Sequence, residues 1–119
     1  MNYPIIIVNG SIEKEELKIF IDNPYEELIK FTIDINQKKI AIGGEMHADS
    51  EKVLIESGSS QEDIWGANLY PFGEKANLEF ISLINISPLR NNKGMEIKDE
   101  TLRSSIKQIV MDQIKLDYE

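Results

Sequence analysis

Cysteine is absent from the 119 residues, histidine occurs once, and proline only four times. Without thiols there is no thiolate nucleophile, iron–sulfur cluster, cysteine zinc site or disulfide framework, and redox chemistry does not fix a compartment. Long apolar runs are missing as well. The first, Ile5-Ile6-Ile7-Val8, has no basic segment before it and ends at Asn9-Gly10, too short for a signal h-region or a membrane span. A cytoplasmic location is therefore expected, with no membrane partner. Positive charge is scarce: 13 Lys and Arg stand against 21 Asp and Glu, for a net charge of −8. Such a surface repels phosphate backbones, so nucleic acid is not an expected partner.

What is present is the composition of a folded chain, 41% hydrophobic and 29% charged with few Pro and Gly. Residues 1–119 suit a single domain that buries roughly two-thirds of its unfolded surface, enough for a core without metal or disulfide staples.

Periodicity supplies the elements. Ile5 to Val8 reads as a short buried strand, and Ser11 as the N-cap of a helix carrying Glu13, Glu15 and Glu16 early and Leu17, Phe20 and Ile21 as its apolar stripe. Asn23-Pro24 stops that helix. Ile29, Phe31, Ile33 and Ile35 then alternate with polar residues, and pairing Ile35 with Ile40 across Asn36–Lys39 puts the isoleucines of a hairpin on one face. Asp49 predicts an N-cap and Gly58 a C′ residue, bounding a helix of about two turns. Ile64–Tyr70 is the next strand, with Trp65, Ala67 and Leu69 on its core side. Leu78–Ile86 returns as another strand, and Asp99 caps the longest helix, with Leu102, Ile106, Ile109 and Val110 at helical spacing. The order β-α-β-β-α-β-β-α predicts an α+β fold, a mainly antiparallel five-stranded sheet with helices packed mostly on one face.

Three blocks carry a resemblance. They are Gly43-Gly44-Glu45-Met46-His47-Ala48-Asp49, the run from Gly58-Ser59 through Gln61, Asp63, Trp65-Gly66 and Asn68 to Tyr70-Pro71, and Glu79-Phe80-Ile81-Ser82-Leu83-Ile84-Asn85-Ile86. The chain resembles a family of small prokaryotic proteins of unknown function over nearly its whole length. That family carries more arginine where this chain has Asn91-Asn92-Lys93, and the resemblance implies no mechanism.

Chemistry concentrates in three places. Glu45, His47 and Asp49, with Glu51, sit where a strand gives way to a helix, a common position for ligand sites; a histidine with a carboxylate partner is a candidate catalytic base. The structural alternative has Asp49 capping the helix, Glu51 complementing its positive end and His47 filling a gap. Gln61, Asp63, Asn68, Tyr70 and Asn85 form a second group of candidate ligand-binding residues. Asn68 and Asn85 are unexpected inside strands, and His47, Asn68 and Asn85 would converge if the hairpins are neighbours. The alternative is a pair of buried amides serving backbone groups. Arg90, Lys93 and Lys98 make the Ser87–Lys98 loop a +2 island against −10 elsewhere, and Arg90 is its candidate anion contact.

The spacing matches no metal motif, phosphate loop or nucleophile elbow, so no cofactor and no resident metal are expected. Two functions fit these residues. One is a binding or interaction module with a polar pocket near His47, its partner a small molecule, another protein or a second copy of itself. The alternative is a small hydrolase using His47 with Glu45 or Asp49, with or without a metal ion.

Overall fold

Alternation of isoleucine with polar residues builds the centre of the molecule. The computed structural model describes residues 3–21 and 28–119, in which there are seven strands: β1 (Ile5–Ile7), β2 (Ile12–Glu13), β3 (Ile29–Asp34), β4 (Lys39–Gly43), β5 (Ile64–Tyr70), β6 (Asn77–Glu79) and β7 (Ile114–Lys115). Two α-helices, α1 (His47–Glu56) and α2 (Glu100–Gln113), join a 3-10 helix over Lys14–Phe20. Five strands form an antiparallel sheet in the order β1-β4-β3-β5-β6, and β2 pairs with β7 in a separate parallel ribbon. This is the expected α+β fold.

Each sheet face has its own cover. Phe31, Ile33, Ile40, Ile42, Trp65, Ala67 and Leu69 face Leu17 and Phe20 of the 3-10 helix and Ile106, Ile109 and Val110 of α2. Fully burying one of these large side chains is worth about 2 kcal/mol. Ala41 and Ile64 look the other way, onto Leu54 of α1. There Thr32 Oγ1 donates to Ser50 Oγ at 3.1 Å, both side chains buried. The 3-10 helix and α2 thus share one face, while α1 lies on the other.

Several local expectations need correction. The β3–β4 hairpin pairs Ile33 with Ile40 and Phe31 with Ile42, not Ile35 with Ile40. Asp34 Oδ1 accepts the N–H groups of Asn36 and Gln37, both at 2.9 Å, closing the turn one residue earlier, so that Asp34 stands opposite Lys39 and the strand register slips by two. The slip is even, so the isoleucines keep their face. Glu13, not Ser11, stands at the N-cap; Ile12 and Glu13 are drawn into the ribbon with β7, and the first helix starts at Lys14 in 3-10 form. The Asn23-Pro24 stop lies outside the described residues. Gly58, at φ 110°, does end α1: its N–H donates to Ile55 O and that of Ser59 to Leu54 O, both at 3.0 Å, a Schellman pair. The expected strand over Leu78–Ile86 stops at Glu79. Ser82 Oγ accepts the Ile84 N–H at 3.3 Å and opens a 3-10 turn over Leu83–Asn85, so Ile84 packs on the α1 side and Ile86 stays exposed.

Candidate functional site

Gly43 and Gly44, at φ 104° and 90°, swing the chain from the end of β4 into α1. A Cβ on Gly43 would run into Pro4 O and the Phe20 ring, so this turn needs glycine. His47 is the first residue of α1, and its Nε2 lies 2.8 Å from Ala67 O on β5. A carbonyl oxygen only accepts, so Nε2 carries the proton and the lone pair sits on Nδ1. Burial pulls the His47 pKa below its ordinary value, against the Ala67 carbonyl and the Asn68 side chain, which raise it; the Lys30 ammonium adds a smaller lowering. The imidazole is therefore neutral at neutral pH.

Asn68 lies on the same face of β5 and is 6% exposed. Its Nδ2 donates to Glu79 Oε1 at 2.9 Å and to Ile81 O at 3.2 Å. Both partners are acceptors, so the amide cannot be turned round. Its Oδ1 is then buried without a hydrogen-bond partner among the described residues. His47 and Asn68 both line a cavity of about 280 Å³ between the start of α1 and the 81–84 segment. The walls are chiefly apolar, from Leu28, Met46, Leu83, Ile84 and Met95, with Lys30 and Ser82 as further polar groups.

The other candidate residues go elsewhere. Asp49 Oδ2 accepts the Met46 N–H at 3.0 Å, placing Asp49 in the first turn of α1 and not at its cap. Glu45 is exposed, and neither carboxylate lines the cavity. Glu51, one helical turn from His47, faces Gln61 and Arg90 across a second cleft of about 370 Å³; burial pushes its pKa up, against the Gln61 amide and the Arg90 charge. Arg90 spends its guanidinium on backbone: Nη1 donates to Ile64 O at 2.7 Å and Glu62 O at 3.3 Å, Nη2 to Ile84 O at 3.2 Å. Its Cζ stands 3.7 Å from the centre of the Trp65 ring. Gln61 and Asp63 form the 3-10 turn leading into β5.

Asn85 is wholly enlisted by the fold. Its Oδ1 accepts Gly66 N–H at 2.8 Å while its Nδ2 donates to Gly66 O at 2.9 Å and Met95 O at 3.2 Å. It pairs with β5 as a neighbouring strand would, and it does not line the His47 cavity. Tyr70 faces a third cleft, of about 520 Å³, where its hydroxyl donates to Glu79 Oε1 at 3.3 Å. Of the expected convergence, His47 and Asn68 meet; Asn85, Arg90 and Tyr70 stand apart. The +2 loop offers little free charge, since Lys98 pairs with Glu96 at 2.9 Å and Arg90 is engaged as described. Among the described residues no three His, Asp or Glu side chains gather as a metal donor set, and no helix is long and apolar enough to cross a membrane.

The cavity walls escaped sequence reasoning. Met46, Leu83 and Met95 lie in three separate segments without shared periodicity, and the available signal was only that two methionines stand in otherwise polar stretches. Asn92 was missed too: its Nδ2 donates to Asn85 O and Gly94 O at 2.9 and 3.0 Å, holding the loop behind Asn85 in place.

Comparison with known proteins adds a family and no chemistry. No curated protein and no solved structure matches the chain. The family model described as a protein of unknown function (DUF5674) does match, over residues 6–113, and the chain belongs to that family.

Proposed function

We propose that this chain is a binding module whose ligand enters the cavity beside His47 and Asn68. The observation that carries the reading is Asn68 Oδ1, a buried acceptor without a hydrogen-bond partner among the described residues, on a side chain that lines a chiefly apolar cavity. Leaving such a group unpaired costs about 1 to 3 kcal/mol, which a ligand donor would recover. The fitting ligand has an apolar body and one hydrogen-bond donor. Met46 and Met95, both partly exposed at the cavity, suit an aromatic body, because thioethers make favourable contacts with ring edges. A hydrolytic role for His47 finds less support, because Asp49 is committed to the first turn of α1 and, among the described residues, no carboxylate lines the cavity.

Indole and indene provide the test, since they share a shape and differ in the N–H donor. Titrated into labelled protein and followed by NMR, indole should shift the Asn68 side-chain amide and the Ala67 and Ile81 backbone signals. Indene should bind roughly tenfold more weakly, the loss of one hydrogen bond. Leu83→Glu, at a rim residue 62% exposed, should abolish both responses without unfolding the protein. Equal affinities, or shifts confined to other regions, would overturn the reading.

A further inference from the structure

The sheet ends on one side at β1. In the β1–β4 ladder Val8 N–H donates to Ile40 O at 2.9 Å and Gly44 N–H to Pro4 O at 3.1 Å, with Ile6 opposite Ile42 between them. Residues 4, 6 and 8 therefore bond inward. The alternation of an antiparallel ladder leaves the N–H and C=O groups of Ile5 and Ile7 on the open side, where no described residue bonds them. These four groups have a two-fold arrangement about Ile6. A second β1 laid antiparallel would exchange two hydrogen bonds between Ile5 and Ile7′ and two between Ile7 and Ile5′, leaving Ile6 opposite Ile6′.

Side chains and charge agree with that register. Ile5 and Ile7 are only partly buried against the α1 cluster, and Ile6, on the other face, is 38% exposed. Stacking two copies would set isoleucine beside isoleucine on both faces, the β-branched cross-strand pairing that stabilises sheets. Natural edge strands are commonly guarded by lysine, proline or a bulge within the strand. β1 has none of these, and in a chain with 29% charged residues positions 1–12 carry no charged side chain. A second β1 therefore brings no charged side chain of its own strand against this one. We propose that β1 is the docking edge for a second copy of this chain, paired antiparallel about Ile6 into one sheet that runs through both molecules. The interface is isologous, so it closes as a dimer and does not propagate.

The lack of native cysteine makes the register directly testable. At a non-hydrogen-bonded antiparallel pair the Cα atoms lie about 4.5 Å apart, within disulfide range. Ile6→Cys should therefore oxidise rapidly to a covalent dimer, while Ile19→Cys, at a site 65% exposed on the 3-10 helix, should not. In sedimentation over a wide concentration series the natural chain should dimerise. Ile6→Lys, which sets like charges face to face, should stay monomeric with unchanged circular dichroism. A natural chain that is monomeric throughout would overturn the proposal, and so would a dimer that Ile6→Lys leaves intact or that Ile6→Cys links no faster than Ile19→Cys.

Discussion

A Cβ on Gly66 would lie 2.7 Å from both Cβ and Oγ of Ser82 and 3.0 Å from Ile84 Cγ1. The glycine has ordinary strand dihedrals; what it supplies is space, into which the 82–85 turn is pressed so that Asn85 can reach the Gly66 backbone. Gly66→Ala should push this turn away and cost about 2 kcal/mol in denaturant unfolding, the usual penalty for overpacking. His47 is the other residue with a measurable signature. Its folded pKa lies below the ordinary 6.5, so the unfolded chain takes up the proton first as pH falls through that value. Stability contributed by the neutral ring is complete above that point and is lost as pH drops towards the folded pKa. His47→Gln should therefore show a smaller fall in unfolding free energy than the natural chain between about pH 7.5 and about pH 5.5. Asn68 and Asn85 were legible as oddities because amides are rare inside strands. Which of them stood at a cavity was not legible, because that depends on Gly66 admitting the turn beside one and not the other.

Among the elements, β5 and α2 could be read in advance because alternating and 3.6-residue patterns survive when neighbours bury one face. The start of α1 was harder. Asp49 has the chemistry of an N-cap, yet the helix begins two residues before it and uses its carboxylate from within the first turn, returning to the Met46 N–H. Asp49→Ala should cost about 1 kcal/mol in thermal or denaturant unfolding, and it should leave indole binding unchanged because Asp49 does not line the cavity. The start of the first helix and the end of the last expected strand moved for a common reason. In each, a long-range partner outweighed local propensity: β7 drew Ile12 and Glu13 into a ribbon, and Gly66 gave Ser82 and Asn85 a place to settle.

For the molecule as a whole, the acidic balance remains its plainest property, and the structure engages two of the three cations of the 87–98 loop, Arg90 and Lys98. Arg90 is spent on carbonyl oxygens and the Trp65 ring, while Lys98 and Arg103 both reach Glu96, at 2.9 and 3.6 Å. One feature of the chain's path bears on its synthesis. Ile12 and Glu13 pair in parallel with Ile114 and Lys115, and the segment beyond is fastened by Ala76 N–H donating to Asp117 O at 2.7 Å and Glu119 N–H donating to Ala76 O at 3.0 Å. Closing a loop that long is entropically slow. As the chain leaves the ribosome, β1 can find β4 early, but β2 has nothing to pair with until α2 and the residues after it have emerged. The ribbon is a latch that stays open until β7 has emerged, joining β2 to a strand made long after it.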